Sequence, residues 1–200
     1  MIIAGAGAAG KETLYGLISD RNENTIVFFD ENNGMKSIHF LNSQFKVINK
    51  LSEVAKHFST DNRFLTCIGH PRIKKKITEK LIQQGGQLDR FISSSATIID
   101  NASIKKGTVI HPGCIISFNT IIGQSVSIHA NTTIGHGIKI GDYSMIGPNC
   151  AIVGPTEIGK GCYIGAGVTI INGVKIGDNV IVNAGETVKS DLPSNSTFPM

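Results

Sequence analysis

The chain has 200 residues, of which 40% are hydrophobic and 17% charged, and its formal net charge is +4 at pH 7. This composition excludes a disordered polar chain, and the charge is too small and too dispersed to predict binding to nucleic acid. No apolar stretch approaches the roughly 18 residues needed to span a bilayer, so we expect no membrane insertion and, by default, a cytoplasmic protein.

Strands and helices alternate along residues 1–92, which predicts a small Rossmann-like α/β domain with a parallel sheet. The predicted elements are a strand over 1–4, a helix over 11–19, a strand over 25–29, a helix over 50–58, a strand over 63–68, a helix over 72–84 and a strand over 88–92. About 90 residues hold one nucleotide-binding half rather than two. A single nucleotide or a nucleotide sugar therefore fits this domain better than a dinucleotide.

A glycine-rich turn follows the first strand. Gly5, Gly7 and Gly10 match the GxGxxG pattern, in which glycines let the backbone approach a phosphate at a helix N-terminus. Gly5, Asp30 and Gly69 each follow a predicted strand, so we expect them at one edge of the sheet, where ligands bind. The alternative is a domain with a packing role only, whose glycines permit tight turns.

Isoleucine or valine occupies every sixth position from residue 98 to residue 188 without interruption. A period of six fits neither a helix nor an alternating strand, but it fits short strands that each point one aliphatic side chain inward before a turn. Three such sides close one coil, so the pattern predicts an all-β parallel β-helix of five 18-residue coils within residues 93–200.

Two further columns accompany the aliphatic one. Glycine recurs directly after the aliphatic residue, and we expect it to turn the corners, because it adopts backbone angles that other residues resist. The residue four places after the aliphatic is usually small or β-branched, and Cys114, Cys150 and Cys162 lie in that column. We expect these cysteines to be free thiols that fill space as compact apolar side chains.

His111 and His129 are one coil apart and are expected to stack. Two stacked imidazoles are compatible with a metal ion, but Gly147 continues their column and supplies no third ligand. The sequence therefore favours no metal.

His136 stands between Gly135 and Gly137, with Gly154 one coil above. Neighbours without side chains leave the imidazole open to a ligand, and Gly154 leaves room for a chain along this face. An imidazole with a pKa near 6.5 is suited to remove a proton from a nucleophile. The alternative is a solvated histidine on an unused face.

The order of Ile3–Gly7, Phe29–Asn32, Ile68–Gly69 and the hexapeptide repeat resembles a known family. It is the NeuD/PglD-like family of two-domain sugar acyltransferases, which includes sialic acid O-acetyltransferases and bacterial nucleotide-amino-sugar N-acetyltransferases. The resemblance covers nearly the whole chain and implies a left-handed β-helix. It also implies a homotrimer, acetyl-CoA bound between neighbouring prisms as co-substrate without a metal, and a nucleotide sugar held by the N-terminal domain.

The resemblance also implies the site residues. The family's catalytic histidine lies in the hexapeptide before an Ile-Gly-acid-aromatic segment, here Ile140–Tyr143, which implies that His136 is catalytic. The implied cofactor-binding positions are Met145, Gly154, Ala166 and Ala184. The implied substrate-binding residues are Gly7, Ala8, Ala9, Asp30, Glu31 and Gly69.

The chain departs from the family pattern at three places. Gly137 stands where the family often has an acidic residue after its histidine, and Met145 replaces a second histidine near the thioester. Ala8 and Ala9 stand where the family usually has Gly-His.

On this resemblance we expect an acetyl-CoA-dependent acetyltransferase acting on a nucleotide-linked amino sugar for surface glycan or lipopolysaccharide synthesis. One alternative is an O-acetyltransferase of sialic acid or of a polysaccharide sugar. The other is a non-catalytic nucleotide-sugar-binding relative, which the residues at positions 137 and 145 suggest.

Overall fold

The computed structural model describes residues 1–32 and 34–199. These residues form an α/β unit with a six-stranded sheet, followed by a prism of short strands in three sheets. The predicted combination of a Rossmann-like α/β domain with a left-handed parallel β-helix is confirmed. None of the helices in the described part of the chain is both long and apolar enough to cross a membrane.

The strands of the α/β sheet are β1 (Ile2–Ala4), β2 (Val27–Phe29), β3 (Ser37–Phe40), β4 (Ser43–Ile48), β5 (Arg63–Thr66) and β6 (Gln87–Leu88). The sheet has the strand order β3-β4-β2-β1-β5-β6 and is parallel except for the hairpin of β3 and β4. Its helices are α1 (Ala8–Arg21), α2 (Leu51–Phe58) and α3 (Pro71–Gln83). The hairpin was not predicted from the sequence, and the strand predicted over 88–92 is divided between two sheets.

The central strand β1 is buried on both faces, because helices cover both sides of the sheet. Ile3 packs in one apolar cluster with Leu14 and Leu17 of α1. Ile2 packs in the cluster on the other side with Val54 of α2 and with α3. This double cover explains why β1 is a continuous apolar run rather than an alternating one.

The prism has three faces, each a parallel sheet whose neighbouring strands are 18 residues apart, except for the last pair on the first face, which is 16 residues apart. The first face contains β7 (Phe91–Ile92), β10 (Val109–Ile110), β13 (Ser127–Ile128), β16 (Met145–Ile146), β19 (Tyr163–Ile164), β22 (Ile181–Val182) and β24 (Thr197–Phe198). The second contains β8 (Thr97–Ile98), β11 (Ile115–Ile116), β14 (Thr133–Ile134), β17 (Ala151–Ile152), β20 (Thr169–Ile170) and β23 (Thr187–Val188). The third contains β9 (Ser103–Ile104), β12 (Ile121–Ile122), β15 (Lys139–Ile140), β18 (Glu157–Ile158) and β21 (Lys175–Ile176).

The predicted aliphatic column lines the prism. Fourteen of its sixteen side chains, from Ile110 to Val188, are at most 3% exposed. Ile98 and Ile104 at the first coil are partly buried against the same core. Each fully buried aliphatic side chain stabilises the fold by about 1.5–3 kcal/mol before entropy, so the prism core is extensive.

The expected role of the glycines that follow the aliphatic residues was wrong. They do not have positive φ; they are needed for space, because a Cβ on Gly141 or Gly147 would lie 2.6 or 2.7 Å from backbone atoms of the next coil. The corners turn two residues later, at a left-handed position that recurs every six residues. The residues at this position are Asn101, Gly107, Gly113, Asn119, Ser125, Asn131, Gly137, Tyr143, Asn149, Gly161, Gly167, Gly173, Asn179 and Gly185.

The polar side chains of the small column inside the prism form hydrogen bonds to the backbone of the next coil. Thr132 Oγ1 donates a hydrogen bond to the Gly147 carbonyl oxygen at 2.8 Å, and Cys150 Sγ lies 3.1 Å from the Gly165 carbonyl oxygen. In both cases the acceptor is 15 residues further along the chain, on the next coil. The buried cysteines are free thiols in this ladder, which agrees with their predicted packing role.

The α/β unit packs against the first face of the prism. Phe91 and Val109 join the apolar cluster that contains Leu14 and Leu17. Gly16 of α1 lies directly against Phe91, since a Cβ there would be 2.8 Å from a ring carbon. The close approach of α1 brings its N-terminal residues next to the prism.

Candidate functional site

The carboxyl ends of β1, β2 and β5 meet at one sheet edge, as predicted. The Gly5 amide donates to the Phe29 carbonyl oxygen at 2.8 Å, and the Ala6 amide donates to Asp30 Oδ2 at 3.1 Å. Gly5 has a φ of +105°, and a Cβ there would lie 2.7 Å from the Cys67 carbonyl oxygen. Glycine is therefore required at this position by both conformation and space, and Asp30 fixes the turn that follows.

The N-terminus of α1 is open to an anion. Gly7 at the N-cap has no side chain that could cap the helix, and no acidic residue lies in the first turn. Gly7 and Ala8 are exposed and Ala9 is partly buried. Unpaired N–H groups and the helix dipole make such a terminus suitable for a phosphate or carboxylate.

The other predicted substrate residues lie at or beside this edge. Gly69 is partly buried just after β5, while Glu31 is exposed just after β2. The Glu31 carboxylate forms an ion pair with Lys80 of α3, 2.7 Å between Oε2 and Nζ. The Glu31 carboxylate therefore already has a cationic partner, which lies on helix α3.

A cavity of about 580 Å³ lies between the first turns of α1 and the prism. Its lining residues are Ala8, Lys11, Glu12, Tyr15, Phe40, His111, Pro112, His129, Ala130 and Pro148. The open N-terminus of α1 and the pair formed by His111 and His129 therefore line the same cavity. A ligand whose phosphate binds at α1 can extend along this cavity.

His111 and His129 stack as predicted, with ring centroids 4.7 Å apart and planes 10° from parallel. Glu12 supplies the third group that their column lacks, and its Oε2 is 3.9 Å from His129 Nδ1. The candidate ligand atoms of the three residues lie within 4.8 Å of one another. The lone pair of an imidazole nitrogen lies in the ring plane, so the lone pairs of two parallel rings run parallel and do not converge on one metal ion. The predicted absence of a metal stays a prediction.

Both imidazoles are neutral at pH 7. Burial lowers the pKa of His111 and that of His129 to about 4, and nearby Lys74 adds to the effect. Lys74 is itself fully buried, its Nζ 2.8 Å from Ser127 Oγ, and burial lowers its pKa to about 8. The basic run from Arg72 to Lys76 thus contains one buried lysine at the contact between the two units.

The histidine pair predicts a loss of stability in mild acid. A histidine titrates near pH 6.5 in the unfolded chain but near pH 4 here, so between these values the unfolded chain binds more protons. We expect the free energy of unfolding to fall as the pH drops from about 6.5 to about 4, and His111→Gln to reduce that fall by about 1–2 kcal/mol. Urea unfolding at pH 7 and pH 5 measures it.

His39, exposed on strand β3, provides the matched control for this experiment. We expect His39→Gln to keep the wild-type pH dependence. An equal acid loss in wild type and His111→Gln would show that the buried pair does not titrate as described.

His136 follows β14 at the corner between the second and third faces and is exposed to solvent. Its ring stacks on Phe118, with centroids 5.4 Å apart and planes 14° from parallel. Gly154, one coil above, is buried: a Cβ there would lie 2.8 Å from the His136 carbonyl carbon and closer still to its oxygen. The missing side chain of Gly154 therefore makes room for the His136 backbone rather than for a ligand along the face.

The predicted cofactor positions are not all brought together within one chain. Gly154 shares the corner of His136. Ala166 and Ala184 are exposed at the corner between the first and second faces, and Met145 is buried on the first face between Ser127 and Tyr163.

Three residues of these sites were not predicted from the sequence: Glu12, Lys74 and Phe118. A signal existed for two of them. Phe118 is 18 residues before His136, so the coil period places it directly below. Lys74 lies on the buried stripe of α3 with Pro71 and Ile77. Nothing local marks Glu12, because its partners come from the other unit.

Two family models match the chain. The PglD N-terminal domain matches residues 1–81, and the bacterial transferase hexapeptide (six repeats) matches residues 119–154 and 155–185. GDP-perosamine N-acetyltransferase of Escherichia coli O157:H7 is 26% identical over 151 residues, 70% of this chain. The match spans 64% of that relative, less than two thirds of its length.

Solved structures with this fold cover nearly all of the chain. PerB from Caulobacter crescentus, in complex with CoA and GDP-perosamine, matches with a TM-score of 0.88 at 25% identity, over 98% of this chain and 91% of that one. The acetyltransferase domain of PglB from Neisseria gonorrhoeae, in complex with acetyl coenzyme A, matches with a TM-score of 0.88 at 24% identity, over 98% and 93%. Both family models match in order along one chain of this fold, which confirms the resemblance to the NeuD/PglD-like family of hexapeptide-repeat sugar acyltransferases.

Proposed function

We propose that this protein transfers an acetyl group from acetyl-CoA to the amino group of a nucleotide-linked sugar, for the synthesis of a surface glycan or lipopolysaccharide. The observation that carries the proposal is the exposed imidazole of His136 on the outer wall of the prism, between two glycines. Relatives of the same fold bind CoA and a sugar nucleotide, which supports these two substrates.

The α/β unit, residues 1–92, would hold the nucleotide sugar. Gly7, Ala8 and Ala9 would present backbone N–H groups to the phosphates, while Asp30 and Gly69 border the same edge. The cavity lined by Lys11, Glu12 and the neutral histidine pair would receive the sugar.

The prism, residues 93–200, would carry the transfer. Acetyl-CoA would lie in the groove between neighbouring copies of a homotrimer, so that Gly154 beside His136 and Met145, Ala166 and Ala184 on other parts of the prism could come from different subunits. Such an arrangement would bring together positions that lie apart within one chain. We propose that the protein acts in the cytoplasm, where acetyl-CoA is supplied.

His136 would act as a general base. The amine attacks the thioester carbonyl and a C–N bond forms. The C–S bond then breaks, CoA leaves as its thiolate, and His136 accepts the proton that the amine loses. A backbone N–H group would stabilise the oxyanion. Direct transfer is favoured over an acyl-enzyme, because burial raises the pKa of the Cys67 thiol to about 11 and also raises that of Cys114, Cys150 and Cys162.

A matched pair of acceptors tests this function. The purified protein is given acetyl-CoA with a nucleotide-linked amino sugar or with the same nucleotide sugar bearing a hydroxyl group at that position. We expect release of the CoA thiol and an acetylated product, seen by mass spectrometry, with the amine only. The Escherichia coli relative is a GDP-perosamine N-acetyltransferase, which supports an amine as the acceptor group.

Two results would contradict the proposal. Transfer only to the hydroxyl acceptor would make the protein an O-acetyltransferase. Calorimetry that detects nucleotide-sugar binding but no acetyl-CoA binding would make it a non-catalytic relative.

A further inference from the structure

The His136 imidazole has an unusual setting for a proposed general base. Within residues 1–32 and 34–199, no carboxylate forms a hydrogen bond or ion pair with it. Its two neighbours in the chain, Gly135 and Gly137, have no side chains, and Gly137 has a φ of +66° at the corner. Neither the preceding nor the following residue can therefore fix the plane of the ring.

Phe118 is the side chain that contacts the ring face. It occupies the same corner one coil below, and its carbonyl oxygen accepts a hydrogen bond from the Gly137 amide at 3.1 Å. This bond holds the two corners in register, and the rings lie 5.4 Å apart and 14° from parallel. Phe118 is 46% exposed and belongs to none of the apolar clusters of the described residues. Packing of the prism core therefore does not explain an aromatic residue here.

We propose that Phe118 is a positioning residue, whose ring orients the His136 imidazole by stacking. This inference rests on the proposed function, because it assigns His136 the role of proton acceptor. The stack fixes the ring plane and leaves the nitrogen atoms at the ring edge free for the acceptor amine. It performs by contact with the ring face the task that a carboxylate would perform through a hydrogen bond to a ring nitrogen.

Leucine removes the planar face but keeps apolar bulk, whereas tyrosine keeps the face. A stack of this kind favours one ring orientation by a modest factor. We expect Phe118→Leu to lower kcat about 3- to 10-fold, with the KM for each substrate unchanged within about two-fold. Phe118→Tyr should restore kcat. Ile99→Ala, which shortens an exposed side chain at the first coil, is the control and should keep wild-type kcat.

The stack also has a signature independent of turnover. In protein with ¹³C-labelled histidine, the His136 ring C–H signals are identified by their absence in His136→Ala. We expect them to be shifted upfield by the Phe118 ring current, to lose that shift in Phe118→Leu and to keep it in Phe118→Tyr. Melting temperatures near wild type would confirm that both variants fold.

The variants distinguish a failure of the positioning role of Phe118 from a failure of the proposed function. Wild-type kcat in Phe118→Leu, with activity lost in His136→Ala, would overturn the positioning role and leave the proposed function intact. A raised KM for acetyl-CoA in both Phe118 variants would overturn it as well, by making Phe118 a cofactor contact. Full activity of His136→Ala would refute the proposed base and the positioning role together.

Discussion

Gly154→Ala is expected to destabilise the prism by about 3 kcal/mol. The added Cβ would lie 2.8 Å from the carbonyl carbon of His136 and closer to its oxygen. The neighbouring atoms are backbone, so no flexible side chain can move aside. Gly154 follows β17, which pairs in register with β14, the strand that leads to His136. Relief of the overlap therefore requires two paired coils to separate at the proposed site.

Gly69→Ala is the matched control for stability. A Cβ at Gly69 meets nothing within 4 Å, and the residue is not in the left-handed region. We expect its free energy of unfolding to stay within about 0.5 kcal/mol of wild type. Urea unfolding followed by circular dichroism compares the two variants, and equal stability would show that the two coils do not pack as closely as described.

The prism could be predicted from the sequence because one column of side chains is buried in the prism core and is therefore restricted to aliphatic residues. A residue that faces the axis must be apolar and of similar size in every coil, so the period of six survives without interruption. The corners were harder to predict, because glycine occurs in two columns for different reasons. Gly141 is needed for space, whereas Gly137 is needed for its positive φ, and asparagine at positions such as Asn119 shares that second role.

The parts of the site that the sequence did not reveal depend on contacts between distant elements. Glu12 approaches His129 only because α1 packs on the first face of the prism. Lys74 stands in a run of basic residues, and only helical spacing distinguishes its buried position. The hairpin of β3 and β4 turns at Leu41 and Asn42, both with positive φ, without the Asn-Gly pair that usually marks such turns.

His136→Ala is expected to lower turnover by about 10²–10⁴, the usual contribution of a general base. The imidazole is exposed and belongs to none of the apolar clusters of the described residues, so its removal should leave the fold unchanged. Acetyl-CoA and the nucleotide sugar should bind as before, because the base acts on the proton of the attacking amine. His39→Ala, which removes another exposed imidazole, on strand β3 of the α/β unit, is the control and should keep wild-type turnover.

A single-turnover experiment decides whether His136 carries the reaction. Wild type and His136→Ala are saturated with acetyl-CoA and with the amino-sugar nucleotide that wild type accepts, and the acetylated product is quantified after rapid quenching. We predict equal dissociation constants by calorimetry and a transfer rate at least about 10²-fold lower in the variant. Transfer at the wild-type rate in His136→Ala would contradict the proposed mechanism and place the base elsewhere, with His129 beside Glu12 as the next residue to test.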